Sequence, residues 1–251
     1  MIKLKSAREI KLMREAGKIV AEVLQEMERS IRVGITTAML DKVAEKTIRR
    51  HGAEPAFLGY HNFPASICAS VNDEVVHGIP GLRKLEEGDI ISIDVGTRLK
   101  GYYGDAAATF AVGQISPEAQ KLIDVTRASL QRAIGAMQSG KRLSDISHAV
   151  QAYVECNHFS VVRSYVGHGI GEEMHEEPQV PNFGLPGRGP LLEPGMVLAI
   201  EPMVNAGNWD VKVLKDQWTV VTVDGSLSAH FEHTVALGEN GPEVLTSSDL
   251  S

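Results

Sequence analysis

The segment LEEGDIISID (Leu85–Asp94) recurs as LEPGMVLAIE (Leu192–Glu201), at an offset of 107 residues. Each copy opens on Leu-Glu, carries a glycine six positions before its end and closes an apolar run on a carboxylate. That acid stands where a core strand would carry another aliphatic residue. One such acid has a ready structural explanation. Two, at matching places of a duplicated unit, predict two half-sites that meet around something positively charged.

Other landmarks repeat in the same order. Lys11-Leu12-Met13 matches Lys121-Leu122-Ile123 at an offset of 110, and Gly34 matches Gly140 at an offset of 106. A period this long exceeds a solenoid unit. Each half reads as long helix, second helix, acid-ended strand and second acid-bearing strand. This predicts an α+β fold of two halves related by a pseudo-twofold, spanning about 3–113 and 114–245. Nothing between them resembles a flexible linker, so 1–251 reads as one domain.

Composition narrows the class. The net charge of −7 argues against direct nucleic-acid recognition, which calls for a basic face. No apolar run approaches the roughly 18 residues of a membrane span. The N-terminus MIKLKSAREIKLM is charged and amphipathic, unlike a signal peptide. A cytoplasmic location follows as the expectation, with Cys68 and Cys156 as reduced thiols. No coiled coil or long exposed apolar stripe is evident, so a monomer is expected.

Ser6 with Glu9 predicts a capping box for a helix to about Glu28, and Thr37 an N-cap for a helix to about Arg50. Helices are expected from Pro117 to about Met137 and from Ser144 to about Cys156. Strands are expected at 66–71, 90–95, 106–112, 161–166, 197–204, 218–223 and 231–237. Asp224-Gly225 is a hairpin signal. Five prolines in 176–196 predict a long surface loop.

Strand alternation sorts the acids. Ile91, Ile93 and Val95 share one face, leaving Asp94 on the other. Leu198 and Ile200 take the helix side in the second copy, leaving Glu201 opposite. With Thr109 aligned to Thr234, Asp105 lies four residues before its Thr and Glu232 two before. Both offsets are even, so both acids take the same face. At an effective dielectric near 20, two unit charges 4 Å apart repel by roughly 4 kcal/mol. Protonation or metal ions relieve such a cluster. His168, in VGHGIG, adds a nitrogen, and four carboxylates with one imidazole suit Mn, Fe, Co or Zn. Bridging carboxylates would let two ions share the set, at the roughly 3.5–4 Å spacing of two-metal hydrolases.

The motifs IDVG (93–96), YGDAA (103–107), GHGIG (167–171), EPM (201–203) and FEHT (231–234) together resemble the type I methionine aminopeptidases. The resemblance covers essentially the whole chain. It implies the pita-bread fold, a curved antiparallel sheet with helices on its outer face. It also implies a dinuclear metal centre in which Asp94 chelates one ion, His168 and Glu201 bind the other, and Asp105 and Glu232 bridge them. A water bridging the ions would act as nucleophile near neutral pH. Glu201 would also carry the proton to the leaving amine. His77, in HGIP, would contact substrate and help transfer protons, and His175, in GEEMHEEP, would stabilise the oxyanion. Tyr60, His61, Phe63, Cys68, Met174 and Trp218 match the methionine pocket, although apolar residues near a strand are more often core. Phe57 stands where some relatives carry a second pocket cysteine. Asn72 and Ser228 match positions that hold a monovalent cation in some relatives.

The implied activity is removal of N-terminal methionine from nascent proteins and peptides when the second residue is small, with transient contact at the ribosome. The chain starts almost at its first helix, so no N-terminal zinc-finger extension is expected. Only 33 residues separate His168 from Glu201, too few for the helical insertion of type II relatives. X-Pro aminopeptidases and prolidases share the five-ligand arrangement but usually add an N-terminal domain. Non-catalytic relatives have lost ligands that this chain keeps.

Overall fold

Helix α1 (Ala7–Ser30) begins with the predicted reciprocal cap: the Ser6 hydroxyl accepts the Glu9 N–H, and the Glu9 carboxylate accepts the Ser6 N–H at 2.7 Å. Helix α2 (Thr37–Arg50) is capped by Thr36, one residue earlier than expected. Thr37 is engaged elsewhere, accepting the Gly81 N–H and donating to the Gly81 carbonyl. Helix α3 (Pro117–Ala136) follows a Ser116 cap. Helix α4 (Leu143–Cys156) starts one residue before the expected Ser144. Asp145 accepts the Arg142 N–H there, while the Ser144 hydroxyl accepts the Arg188 N–H across the turn. This computed structural model describes residues 1–247. No helix among them is long and apolar enough to cross a membrane.

The strands repeat an order. Ile90–Leu99 lies between Tyr102–Ala111 on one side and Cys68–Val71 with Glu54–Pro55 on the other. In the second half, Val197–Ile200 lies between His233–Gly238 and Gly167–Gly169, flanked by Gly241–Val244 and Glu176–Val180. Strand pairings among the described residues are antiparallel. The expected strand phase holds. Ile91, Ile93 and Val95 pack with Val20, Val23, Leu40 and Ile48 of α1 and α2. Leu198 and Ile200 pack with Leu122, Leu130, Ile146 and Val150 of α3 and α4. The opposite phase of each strand is thereby turned away from the helices.

The two halves meet along a seam beside the acids. Ala107 and Glu232 exchange backbone hydrogen bonds, of 3.3 and 2.9 Å. On one side of that pair the Thr234 hydroxyl accepts the Asp105 N–H and donates to the Asp105 carbonyl. On the other, the Thr109 hydroxyl does the same to His230. Helix α1 also sits low on the strand carrying Asp105: a Cβ on Gly104 would lie 2.8 Å from the Gly17 nitrogen. The acid-bearing strand is therefore held along its edge by the seam and on one face by α1.

Several expected strand limits change, for reasons that bear on the site. The run 197–204 breaks after Ile200 and resumes at Met203–Asn205, because Pro202 has no N–H for a ladder. Glu201 sits at that break. The run 231–237 is instead Ser228–His230 and His233–Gly238, with Glu232 between them. The run 161–166 shortens to Ser160–Val161, and the strand carrying His168 is a separate one. The loop expected over 176–196 opens with a strand, Glu176–Val180, whose Pro178 is tolerated at the outer edge of its sheet. Asp224-Gly225 does form a turn, with Asp224 accepting the Asn208 and Ser226 N–H groups. It is no hairpin, because Val220–Thr222 and Ser228–His230 pair with other strands.

Candidate metal centre

Register brings the acids together. Asp94 lies opposite Ala107, and Asp105 opposite Gly96, so the two aspartates are diagonal neighbours on one face. Glu232 enters beside them through its backbone pair with Ala107. His168 lies opposite Ala199, two residues before Glu201, and so shares the Glu201 face. Its Nε2 is 3.5 Å from Glu201 Oε1. Asp105, Glu232 and His168 are buried, each offering a ligand atom within 4.8 Å of the others.

The cluster is short of positive charge. Asp94 Oδ1, Asp105 Oδ1 and Glu232 Oε1 are buried with no hydrogen-bond partner. Burial raises the Asp94 pKa to about 7. Burial, then the Asp94 and Glu201 charges, holds Asp105 well above the carboxylate range. Burial and then Asp94 raise Glu201, and burial followed by Asp105, Glu201 and Asp94 raises Glu232. Burial also lowers His168 to about 3, so its ring is neutral. His168 Nδ1 lies 2.9 Å from the Gly169 carbonyl. A carbonyl can only accept, so the ring proton is on Nδ1 and Nε2 is a bare lone pair. That lone pair and Glu201 Oε1 are two acceptors facing each other. A proton or a cation must lie between such groups, and a hard or borderline divalent ion fits an N/O donor set.

These shifts predict how the ion-free protein responds to pH. The raised carboxyls bind more protons folded than unfolded, so they cost stability as pH rises from near 4 through their folded values. The buried histidines His77, His168 and His230 act oppositely, but their contribution is complete above their unfolded value of 6.5. From about one unit above that value, between pH 7.5 and 8.5, the histidine effect is spent and the carboxyl effect sets the slope. The urea midpoint of protein held in chelator should fall across that range, and saturating divalent metal should abolish the fall. A midpoint in chelator that rises with pH would contradict the buried-repulsion account.

Beside the cluster opens a cleft of about 450 Å³. Asp94, Asp105, His168, Glu201 and Glu232 form its polar end, and Tyr60, His61, Phe63, Cys68, His77, His175 and Trp218 its remaining wall. Met174 is placed elsewhere. It is buried and reaches over Gly96 beside Phe57, where a Cβ on Gly96 would lie 2.6 Å from Met174 Cε and 2.8 Å from Phe57 Cε1. Phe57 takes the lining place instead. The missing side chain of Gly96 leaves the space that Met174 Cε occupies.

Ring contacts order the wall. Phe63 stands edge-on to Trp218 at 5.1 Å, and His77 edge-on to Trp218 at 6.1 Å. The Tyr60 hydroxyl is 2.7 Å from His175 Nδ1, and the His175 ring is 4.3 Å from that of His168. Tyr60 sits in a short 3-10 turn, Tyr60–Asn62, where His61 and Asn62 take positive φ of 46° and 68°. His77 also has positive φ, at 60°. Such backbone strain gathers where a fold holds side chains for use. Burial holds the Cys68 sulfur as a thiol by raising its pKa well above normal. Asn72 and Ser228 also meet, the Ser228 N–H donating to the Asn72 carbonyl at 2.8 Å.

One residue beside the cluster escaped the sequence reading. His230 is buried, and its Nε2 lies 3.8 Å from Glu201 Oε2 with no hydrogen-bond partner. The signal was present, because His230 precedes Glu232 by two and so shares its parity.

Residues 11–239 match the model of Metallopeptidase family M24. Methionine aminopeptidase 1 of Bacillus subtilis is 57% identical over 246 residues, covering 98% of this chain and 99% of that protein. The methionine aminopeptidase of Clostridium perfringens is 58% identical over similar coverage. The crystal structure of methionine aminopeptidase from Thermotoga maritima superposes with a TM-score of 0.97 at 48% identity, covering 98% of this chain and all of that one. An Xaa-Pro dipeptidase from Bacillus anthracis shares the fold at a TM-score of 0.77 and 22% identity, and this chain spans 63% of it.

Proposed function

The chain belongs to Metallopeptidase family M24, and from that premise we propose that it is a divalent-metal aminopeptidase that removes N-terminal methionine. The observation that carries this reading is the convergence of buried Asp105, His168 and Glu232 with half-buried Asp94 and Glu201 in the wall of one cleft. In our reading Asp94 would hold one ion, His168 and Glu201 a second, and Asp105 and Glu232 both. When bound, such ions supply an activated water near neutral pH and polarise the scissile carbonyl. The pita-bread scaffold contributes the cradle.

The protein's own groups would do the rest. Glu201, a carboxylate that lines the cleft, would accept a proton and return it to the leaving amine. Tyr60 would donate to His175 Nδ1, leaving the His175 proton on Nε2 for the developing oxyanion. His77, held neutral by burial with a pKa of about 4, would contact the substrate backbone. Phe57, Tyr60, His61, Phe63, Cys68 and Trp218 would seat the methionine side chain, whose thioether favours aromatic neighbours. A small second residue would suit this arrangement, and nascent chains near the ribosome are the natural source of such termini.

The test is a peptide panel. Protein freed of metal, then given Mn²⁺, Co²⁺ or Fe²⁺, should cleave Met-Ala-Ser and leave an X-Pro peptide intact. Cleavage of the X-Pro peptide alone would move the chain to the dipeptidases that share its fold. Inactivity with every ion would refute the reading.

A further inference from the structure

His230 is not used by the mechanism above, yet its position is the counterpart of one that is. The seam between the halves runs antiparallel through Asp105, Ala107 and Thr109 on one side and His230, Glu232 and Thr234 on the other. Thr234 brackets the Asp105 backbone, and Thr109 brackets the His230 backbone. Each bracketed residue stands four positions before the Thr of its own half. The local twofold therefore carries Asp105 onto His230. The recurrent segments carry Asp94 onto Glu201 in the same sense. Asp105 faces Asp94 across the first half. Its counterpart should face Glu201, and His230 Nε2 does so at 3.8 Å from Oε2.

The two oxygens of Glu201 thus look at different histidines. Oε1 faces the His168 lone pair, and Oε2 faces His230. His230 is 2% exposed, and its Nε2 is without a partner. An unpaired buried ring nitrogen is costly, and a carboxylate oxygen is its natural acceptor. We propose that His230 is a positioning residue, donating Nε2–H to Glu201 Oε2 so that Oε1 stays turned towards His168. His230 is not itself a ligand in this account. Its Nε2 stands 3.8 Å from Oε2, on the side of the carboxylate away from the His168 lone pair. The duplication placed a polar side chain at both positions, and the second half uses its own to aim a carboxylate.

The inference rests on the metal-centre reading, so the experiment separates the two. Metal-free wild type, His230→Gln and His230→Met are titrated with Mn²⁺ by calorimetry, and kcat and KM are measured on Met-Ala-Ser. Gln can place an N–H near Nε2, whereas Met fills the space without a donor. Met should weaken Mn²⁺ binding by about 10- to 100-fold, the scale of an outer-shell partner. Its stoichiometry should be unchanged, with kcat lowered and KM little altered. Gln should restore both towards wild type. Should His230→Met fold poorly, as judged by circular dichroism, His230→Ala takes its place. Variants that bind Mn²⁺ as wild type does would overturn the proposal alone. So would loss of one ion per chain in every variant, which marks a ligand. A wild type that binds no Mn²⁺ would overturn the functional reading along with it.

Discussion

Replacing Asp105 with Asn should remove activity and, at the same time, strengthen the metal-free fold. The first half follows from the ligand role proposed for this side chain. A bound ion is worth several kcal/mol of transition-state charge stabilisation. At about 1.4 kcal/mol per tenfold, losing it lowers kcat/KM on the order of a thousandfold or more. The second half follows from what Asp105 faces without metal. It is buried with an unpartnered oxygen, and Asp94 and Glu201 both resist its ionisation. Asn is nearly isosteric, carries no charge and brings an N–H that Asp94 can accept. The Asp105 backbone bonds to Thr234 do not involve the side chain and should survive. At pH 8 the chelated variant should therefore resist urea better than chelated wild type, while metal raises the midpoint of wild type far more. A chelated variant weaker than wild type would mean that the acids are already relieved by protonation at that pH. A variant that kept its turnover would remove Asp105 from the ligand set.

The opposing outcomes show why the scaffold was legible in the sequence. Strands obey period two, so a polar residue in an apolar run declares its face without knowledge of the partner strand. Asp94, Asp105, Glu201 and Glu232 could all be placed on the side away from the helices in this way. The repeat then placed the two halves face to face. What resisted reading depended on groups outside the strand in question. Met174 lies over Gly96, a strand residue distant in sequence, because Gly96 has no side chain to exclude it. His230 is not an acid, and its closeness to Glu201 depends on a seam whose register only the structure supplies. Strand ends failed for a simpler reason. Pro202 interrupts a ladder that its apolar neighbours would have continued.

His175→Ala should lower kcat by roughly 10²–10³ while leaving metal binding almost intact, the usual cost of losing one oxyanion donor. Its partner makes the test specific. The Tyr60 hydroxyl is 2.7 Å from His175 Nδ1. Burial, and then the neighbouring His61, lowers the His175 pKa, so the ring is neutral at working pH. A neutral ring has one proton, and a donor at Nδ1 keeps it on Nε2. Tyr60→Phe removes that donor but keeps the ring against His61 and the cleft wall. The tautomer is then free, and the loss is that of one ordinary hydrogen bond, up to about 1.5 kcal/mol. That is about tenfold in kcat. If Tyr60 acts through His175, the two changes should not add: Tyr60→Phe should have almost no effect once His175 is Ala. Full additivity would assign Tyr60 to substrate packing alone. A change in KM without kcat for His175→Ala would place that histidine in ground-state binding and leave the oxyanion to other groups.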